Sequence, residues 1–279
     1  MLKRYKFCSL ERLATLCVIL VNILCLPTLS ADEGQTLNAA DIMLKVDQRY
    51  SGDTSQATSV LVLVDKRQRQ RVRDLEMYRV ETKEVEKALI VFRSPADVEG
   101  TSYLSYEWSD PAIADDSWLY LPALQKVKRV ASSEESGAFM GSDFSYADIN
   151  GTDYEDYRYK IEAVSELVDG VDCWVISSIP VSEDVIDKTG YISSKSWVRK
   201  DNFVVVKAII DVKKGKQTKY FSATDIEKID GVWTAKTLQM VTVRRGEKQH
   251  SSVFKINEIV YNKPLPANFF DAQAMQRGL

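Results

Sequence analysis

The chain has 279 residues, 45% apolar and 28% charged, with 37 Lys and Arg against 40 Asp and Glu, one His and four Cys. A formal charge of −3 without a large basic domain argues against nucleic-acid binding, and the sequence offers no metal-binding spacing and no Gly-rich phosphate loop. Length and apolar fraction suffice for one large β domain or two small ones.

The first residues read as an export signal. Lys3, Arg4, Lys6 and Arg12 form a basic leader, residues 13–26 are a nearly unbroken apolar run, and 27–31 supply small residues for cleavage after Ala31 or Ser30. The run falls short of the roughly 20 residues that span a bilayer. A signal peptide over 1–31 is therefore expected, the alternative being an uncleaved anchor, followed by a soluble periplasmic domain over 32–279. Cys8, Cys17 and Cys25 lie in the leader, so Cys173 is left alone and reads as a buried small residue in a strand. Cleavage takes Lys and Arg from 37 to 33 and Asp and Glu from 40 to 39, a mature charge of −6.

Asn38 can cap a helix whose apolar residues Ala39, Ile42, Met43, Val46 and Tyr50 recur at helical spacing, with Gly52 just beyond. From Thr54 the period becomes two, and 59–64, 74–83, 86–93 and 101–106 are strand candidates. The link 65–73, DKRQRQRVR, has two readings. It is a solvated hairpin on a sheet edge, or Arg67, Arg69 and Arg71 dock an acidic partner or a lipid headgroup.

Residues 115–149 concentrate Trp118, Tyr120, Phe139, Met140, Phe144 and Tyr146. Over 117–121 alternation sends Trp118 and Tyr120 to one face and Leu119 and Leu121 to the other, so both faces are apolar. Pro122 interrupts the ladder, pairing resumes over 127–131 with Lys126, Lys128 and Arg129 adjacent, and 132–137 is a polar loop. Phe139-Met140-Gly141-Ser142-Asp143 then reads as an aromatic anchor, a flexible glycine and a helix-capping pair leading into a short turn or helix. The rings either fill a core or line a cavity for a greasy ligand.

Trp118-Leu119-Tyr120-Leu121-Pro122-Ala123-Leu124, Lys126-Val127-Lys128-Arg129, the Ser-rich loop and Phe139-Met140-Gly141-Ser142-Asp143-Phe144-Ser145-Tyr146 together resemble the signature of the LolA-like outer membrane lipoprotein-sorting family. Residues 92–101, FRSPADVEGT, fit as well, and the likeness runs from about Ala39 to the C-terminus. It implies a mainly β fold with some α, a single curved antiparallel sheet forming an open half-barrel whose concave face is covered by helices. It also implies a monomeric carrier of lipoprotein acyl chains, without cofactor. The chain is similar to the branch that accompanies RND-type exporters, so an inner-membrane RND-type or lipoprotein-releasing transporter is an expected partner and the cargo extends to other hydrophobic molecules. The carriers' functional arginine has no residue-by-residue match here.

Strands continue over 157–168, 171–178, 190–199, 203–213, 218–229, 232–244 and 251–261, with turns at Asp169-Gly170, Asp230-Gly231 and Arg245-Gly246. A meander this long must curl. Residues 183–188 read as a helical excursion, and 264–279 leave the sheet with Phe269 and Phe270 as anchors.

A catalytic site finds little support. His250 stands alone in a charged hairpin, so a triad would depend on it without a visible partner. Of the acidic pairs, Asp143 with Asp148 is the one kept open for carboxylate chemistry, because it flanks the aromatic cluster. The expected ligand lining is Trp118, Tyr120, Phe139, Met140 and Phe144, closed over by Ile42, Met43 and Val46. The competing reading is a periplasmic interaction or sensor module that binds a protein partner on the same sheet and carries nothing. An outer-membrane barrel fits poorly, since residues 207–213 and 236–244 carry charge on both faces.

Overall fold

Asn38 starts the first helix as its spacing predicts. In a computed structural model, which describes residues 37–277 except 111 and 152, α1 (Ala39–Asp47) opens with a capping box in which Asn38 and Asp41 satisfy each other's backbone donors. The expected signal peptide over 1–31 lies outside the described residues. No helix among them is long and apolar enough to cross a membrane.

The period-two segments become thirteen antiparallel strands in one sheet. The first six are β1 (Thr54–Val64), β2 (Gln70–Glu81), β3 (Val85–Ser94), β4 (Ser102–Trp108), β5 (Asp116–Leu121) and β6 (Lys126–Val130). The second series is β7 (Tyr157–Val168), β8 (Val171–Pro180), β9 (Tyr191–Arg199), β10 (Val205–Val212), β11 (Gln217–Ile229), β12 (Val232–Arg244) and β13 (Glu247–Tyr261). Their spatial order is β6-β5-β4-β3-β2-β1-β13-β12-β11-β10-β9-β8-β7. Each series is a meander, and the first and last strands meet in the middle, with Val62 opposite Val253. One expectation is thereby corrected: the 65–69 hairpin joins two central strands and does not lie on an edge.

The edges are β6 and β7, and they are consecutive in the chain. The connection between them must therefore cross the sheet, and its residues 131–151 do so over the concave face. This strap contains α2 (Tyr146–Asn150), capped by Ser145 with Asp148. The predicted capping pair Ser142-Asp143 is thus displaced by one turn of chain, because Asp143 is engaged elsewhere. A third helix, α3 (Glu183–Thr189), bridges β8 and β9, and α4 (Ala272–Arg277) ends the described chain.

Alternation along the strands gives the sheet two apolar faces in its first half. On the inner face Leu61, Leu63, Leu75, Ile90, Phe92 and Tyr103 join Ile210, Met240 and Phe254 from the second series around the strap residues Phe139 and Phe144. Strands so far apart in the order can share one cluster only if the sheet curls around the strap. On the outer face Tyr78, Leu89, Val91 and Leu104 are covered by the C-terminal tail through Phe269, Phe270, Ala274 and Met275, as the tail's two phenylalanines suggest. Helix α1 covers the inner face of the second half through Ala39 and Ile42 on Ile176 and Val198. Cys173 is buried on the opposite side, beside Val175 and Trp197.

Candidate functional site: the concave face and its strap

The strap is attached to the sheet by side chains. Among the described residues, the backbone-to-backbone hydrogen bonds of 132–151 close on the strap itself, for example Phe139 N–H to the Phe144 carbonyl at 2.7 Å and Ala147 N–H to the Glu135 carbonyl at 3.0 Å, while the Asp143 N–H donates to Ser252 Oγ on β13 at 2.9 Å. The Met140-Gly141 turn is built from two left-handed residues, with φ of 49° and 72°; glycine takes this conformation without the Cβ penalty that Met140 bears. The turn drives Phe139, fully buried, between Phe92 and Tyr103 at ring separations of 6.0 and 5.6 Å, and Phe144 against Phe254 at 5.5 Å.

Polar anchors hold this plug. Arg73 on β2, buried, donates to the Met140 carbonyl at 2.5 Å. Asp143, with a side chain 1% exposed, accepts from Thr242 Oγ1 at 2.5 Å, from Ser252 Oγ at 2.6 Å and from His250 Nδ1. Asp148 accepts from Tyr191 Oη at 2.7 Å and lies 3.5 Å from Lys219 Nζ, which itself donates to Tyr191 Oη at 2.8 Å. Tyr103 Oη adds a bond to Asn150 Oδ1 at 2.7 Å. Burial pushes the Asp143 carboxyl up, but the hydrogen bonds from His250, Ser252 and Thr242 outweigh it and hold the group below its usual range. The bond to Asp143 raises the His250 imidazole above its ordinary value.

The two carboxylates kept open for catalysis both tie the strap to the sheet. An Asp–His pair exists, yet Ser252 and Thr242 bond the carboxylate and, among the described residues, no nucleophile bonds the imidazole. Nor does any group of three or more His, Cys, Asp or Glu side chains among them have the placement to hold a metal ion. Asp115 and Asp153, separated in sequence, come together on Lys188 at 3.3 and 3.8 Å beside an acidic cleft of about 710 Å³.

Beside the plug lies a cavity of about 270 Å³ between α1, the end of the strap and β7–β10. Met43 and Val46 roof it, Tyr157, Tyr159 and Tyr191 form its walls, and Ser178, Ser194 and Ser196 its floor. Burial, with Asp148 adjacent, lifts the Tyr191 phenol well above its usual value, so it is a neutral donor here.

The expected lining residues are not brought together. Met43 and Val46 line the cavity; Ile42 is fully buried beneath α1 against Ile176 and Val198. Phe139 and Phe144 fill the inner core with Met140 packed at its margin. Trp118 and Tyr120 face the outer side under the C-terminal tail, so their grouping with Phe139 is corrected: on a strand, the face that holds Leu119 is the one that meets the strap. Arg67, Arg69 and Arg71 are exposed, and Arg69 pairs with Asp65 at 2.6 Å. The sequence reading missed Arg73, grouped with the charged link although it shares the inner-face parity of Leu75 and Met77, and it missed the Tyr191 and Lys219 partners of Asp148.

A family model described only as "Uncharacterized protein" matches residues 84–277. Among solved structures, a DUF1329 family protein from Desulfovibrio piger is 30% identical at a TM-score of 0.76, covering 85% of this chain and 97% of that one. A domain from Vibrio parahaemolyticus, described as a candidate outer membrane lipoprotein-sorting protein, is 28% identical at a TM-score of 0.76, covering 86% and 98%. The chain belongs to the DUF1329 family and has a LolA-like fold. A LolA superfamily protein from Nitrosomonas europaea, 18% identical at a TM-score of 0.62 and covering 85% and 99%, shares the fold of this LolA-like chain. No curated protein matches it significantly.

The His250 anchor is expected to make the strap of this LolA-like protein pH-dependent. Because the folded-state pKa of His250 is raised, its contribution is complete below the unfolded value of about 6.5 and is lost as pH rises through the folded value. Asp143 is depressed, so its contribution is present above about 3.9 and lost as pH falls through its folded value. Amide exchange over 139–146, corrected for intrinsic rates, is expected to quicken on raising pH from about 6 to 9, and His250→Gln to remove that dependence. An unchanged pH profile in the variant would assign the effect to another group.

Proposed function

We propose that this protein is a periplasmic carrier that shields a hydrophobic cargo on its concave face and passes it between membrane partners. The observation that carries the reading is a trough of apolar side chains from both strand series, covered by a segment that, among the described residues, makes no backbone-to-backbone hydrogen bond to the sheet. Each methylene removed from water contributes about 0.8 kcal/mol, so one long acyl chain leaves a membrane unaided only at a cost on the order of 10 kcal/mol. A carrier meets that cost by offering equivalent surface. The cavity of about 270 Å³ lies just under the roughly 300–1,000 Å³ of small-molecule sites, so a full acyl chain requires the strap or α1 to move. Lipoprotein acyl chains are the cargo favoured by the likeness to a lipoprotein-sorting domain, with a transporter of the RND or lipoprotein-releasing type as donor. Export through the 1–31 leader belongs to the same proposal.

The second reading, a partner-binding module without cargo, draws on the complete burial of Phe139, which leaves the inner core of the first half filled. Native mass spectrometry with lipid extraction, on protein purified without detergent, separates the two. The carrier reading expects a co-purifying lipid that is lost on replacing Met43 and Val46 by Asp in the cavity roof and retained on replacing Trp118 by Ala on the outer face. A protein that is empty and binds no fluorescent fatty acid is the partner-binding module.

A further inference from the structure

Three neighbouring hairpins reverse the sign of this acidic chain. The β1–β2 tip presents four cations, Lys66, Arg67, Arg69 and Arg71. The β12–β13 tip presents three, Arg244, Arg245 and Lys248, and the β10–β11 tip three more, Lys213, Lys214 and Lys216. All ten are exposed, and the same tips hold three carboxylates, Asp65, Asp211 and Glu247, in a chain whose formal charge is −3. Arg69 pairs with Asp65 at 2.6 Å, and Lys213 with Asp187 and Glu183 of the adjoining α3 at 2.8 and 3.0 Å. The other eight form no ion pair among the described residues.

Sheet order makes these tips one surface. Val64 at the end of β1 is opposite Ser251 of β13, and Gln217 of β11 is opposite Arg244 of β12. A cleft of about 580 Å³ joins Arg69 and Arg71 to His250, and another of about 500 Å³ joins His250 to Lys213 and Lys214. Asp143 lies in the walls of both.

We propose that this end of the molecule docks on a bilayer surface rich in anionic phospholipid. Long, mobile cations spread over three loop tips match a uniform negative potential better than the fixed geometry of one acidic peptide. Each cation held within a Debye length of such a surface strengthens binding about fivefold. Docking also orients the molecule, because the turn at Gly141–Asp143, where the strap is anchored, then opens toward the bilayer. The inference does not depend on the identity of any cargo.

The test is flotation of the full chain with vesicles containing about one-third phosphatidylglycerol in phosphatidylcholine, against pure phosphatidylcholine, at low and high salt. Binding to the anionic vesicles is expected, falling at least about tenfold at high salt and at least about tenfold in a triple variant with one reversal per tip, Arg67→Glu, Lys214→Glu and Arg245→Glu. A control with equal charge change elsewhere, Lys83→Glu, Lys228→Glu and Lys263→Glu, retains it. Equal loss in both triples, salt-insensitive binding, or capture of an acidic protein without vesicle binding overturns the proposal.

Discussion

Replacing Asp143 by alanine is expected to lower the unfolding free energy by about 3–5 kcal/mol, the cost of leaving the buried hydroxyl donors of Thr242 and Ser252 without their acceptor. The carboxylate is 1% exposed and gathers three donors from β12 and β13, so its loss leaves Thr242 and Ser252 unsatisfied inside the sheet and His250 without its counter-ion. For a chain of this size the shift corresponds to a fall in Tm of roughly 10 °C. Thr242→Val removes a single donor and is expected to cost about 1 kcal/mol, and Ser252→Ala, which also removes the acceptor of the Asp143 N–H at 2.9 Å, about 2 kcal/mol. Asp143→Ala and His250→Gln share one contact, so their effects should fall short of additivity. Urea unfolding of the set measures all of this, and an Asp143→Ala loss under about 1 kcal/mol would show that the strap is held by its rings and by Arg73 instead.

The reason this anchor escaped the sequence reading lies in distance along the chain. Local signals were informative: Asn38 and the 3.6 period located α1, alternation with Asp-Gly and Arg-Gly turns located the strands, and β7 and β12 run over the predicted 157–168 and 232–244. Curling of the meander followed from its length. What alternation along one strand cannot supply is the identity of the cover on each side. Trp118 and Tyr120 share a face, as their spacing requires, but it is the C-terminal tail that meets them, more than a hundred residues later in the chain. Asp143 likewise has a local look, a polar residue after Gly-Ser, while its partners Thr242, His250 and Ser252 arrive from a hairpin at the other end of the sequence. The edge assignment of the 65–69 hairpin failed for a related reason: β13 returns to pair with β1, and such a closure has no local signature.

The exchange of Phe139 for alanine addresses whether the strap is a permanent core or a cover. The ring is fully buried and touches Phe92, Tyr103 and Tyr146, so its truncation is expected to cost about 3–5 kcal/mol through lost transfer energy and the void left behind. A void with these apolar and aromatic walls stays dry and can bind a small apolar molecule. If the trough under the strap is where cargo sits, the truncation also removes the competitor for that surface, and affinity for a fluorescent fatty acid should rise even as stability falls. Trp118→Ala on the outer face is the matched control, expected to lose stability through its contact with Tyr106 at 5.2 Å and to leave affinity unchanged. Opposite movement of stability and affinity in Phe139→Ala, absent from Trp118→Ala, is what a displaceable plug requires. Parallel loss of both would make Phe139 part of the wall that the cargo touches, and stability loss with no ligand binding in either protein would make the strap an ordinary core segment.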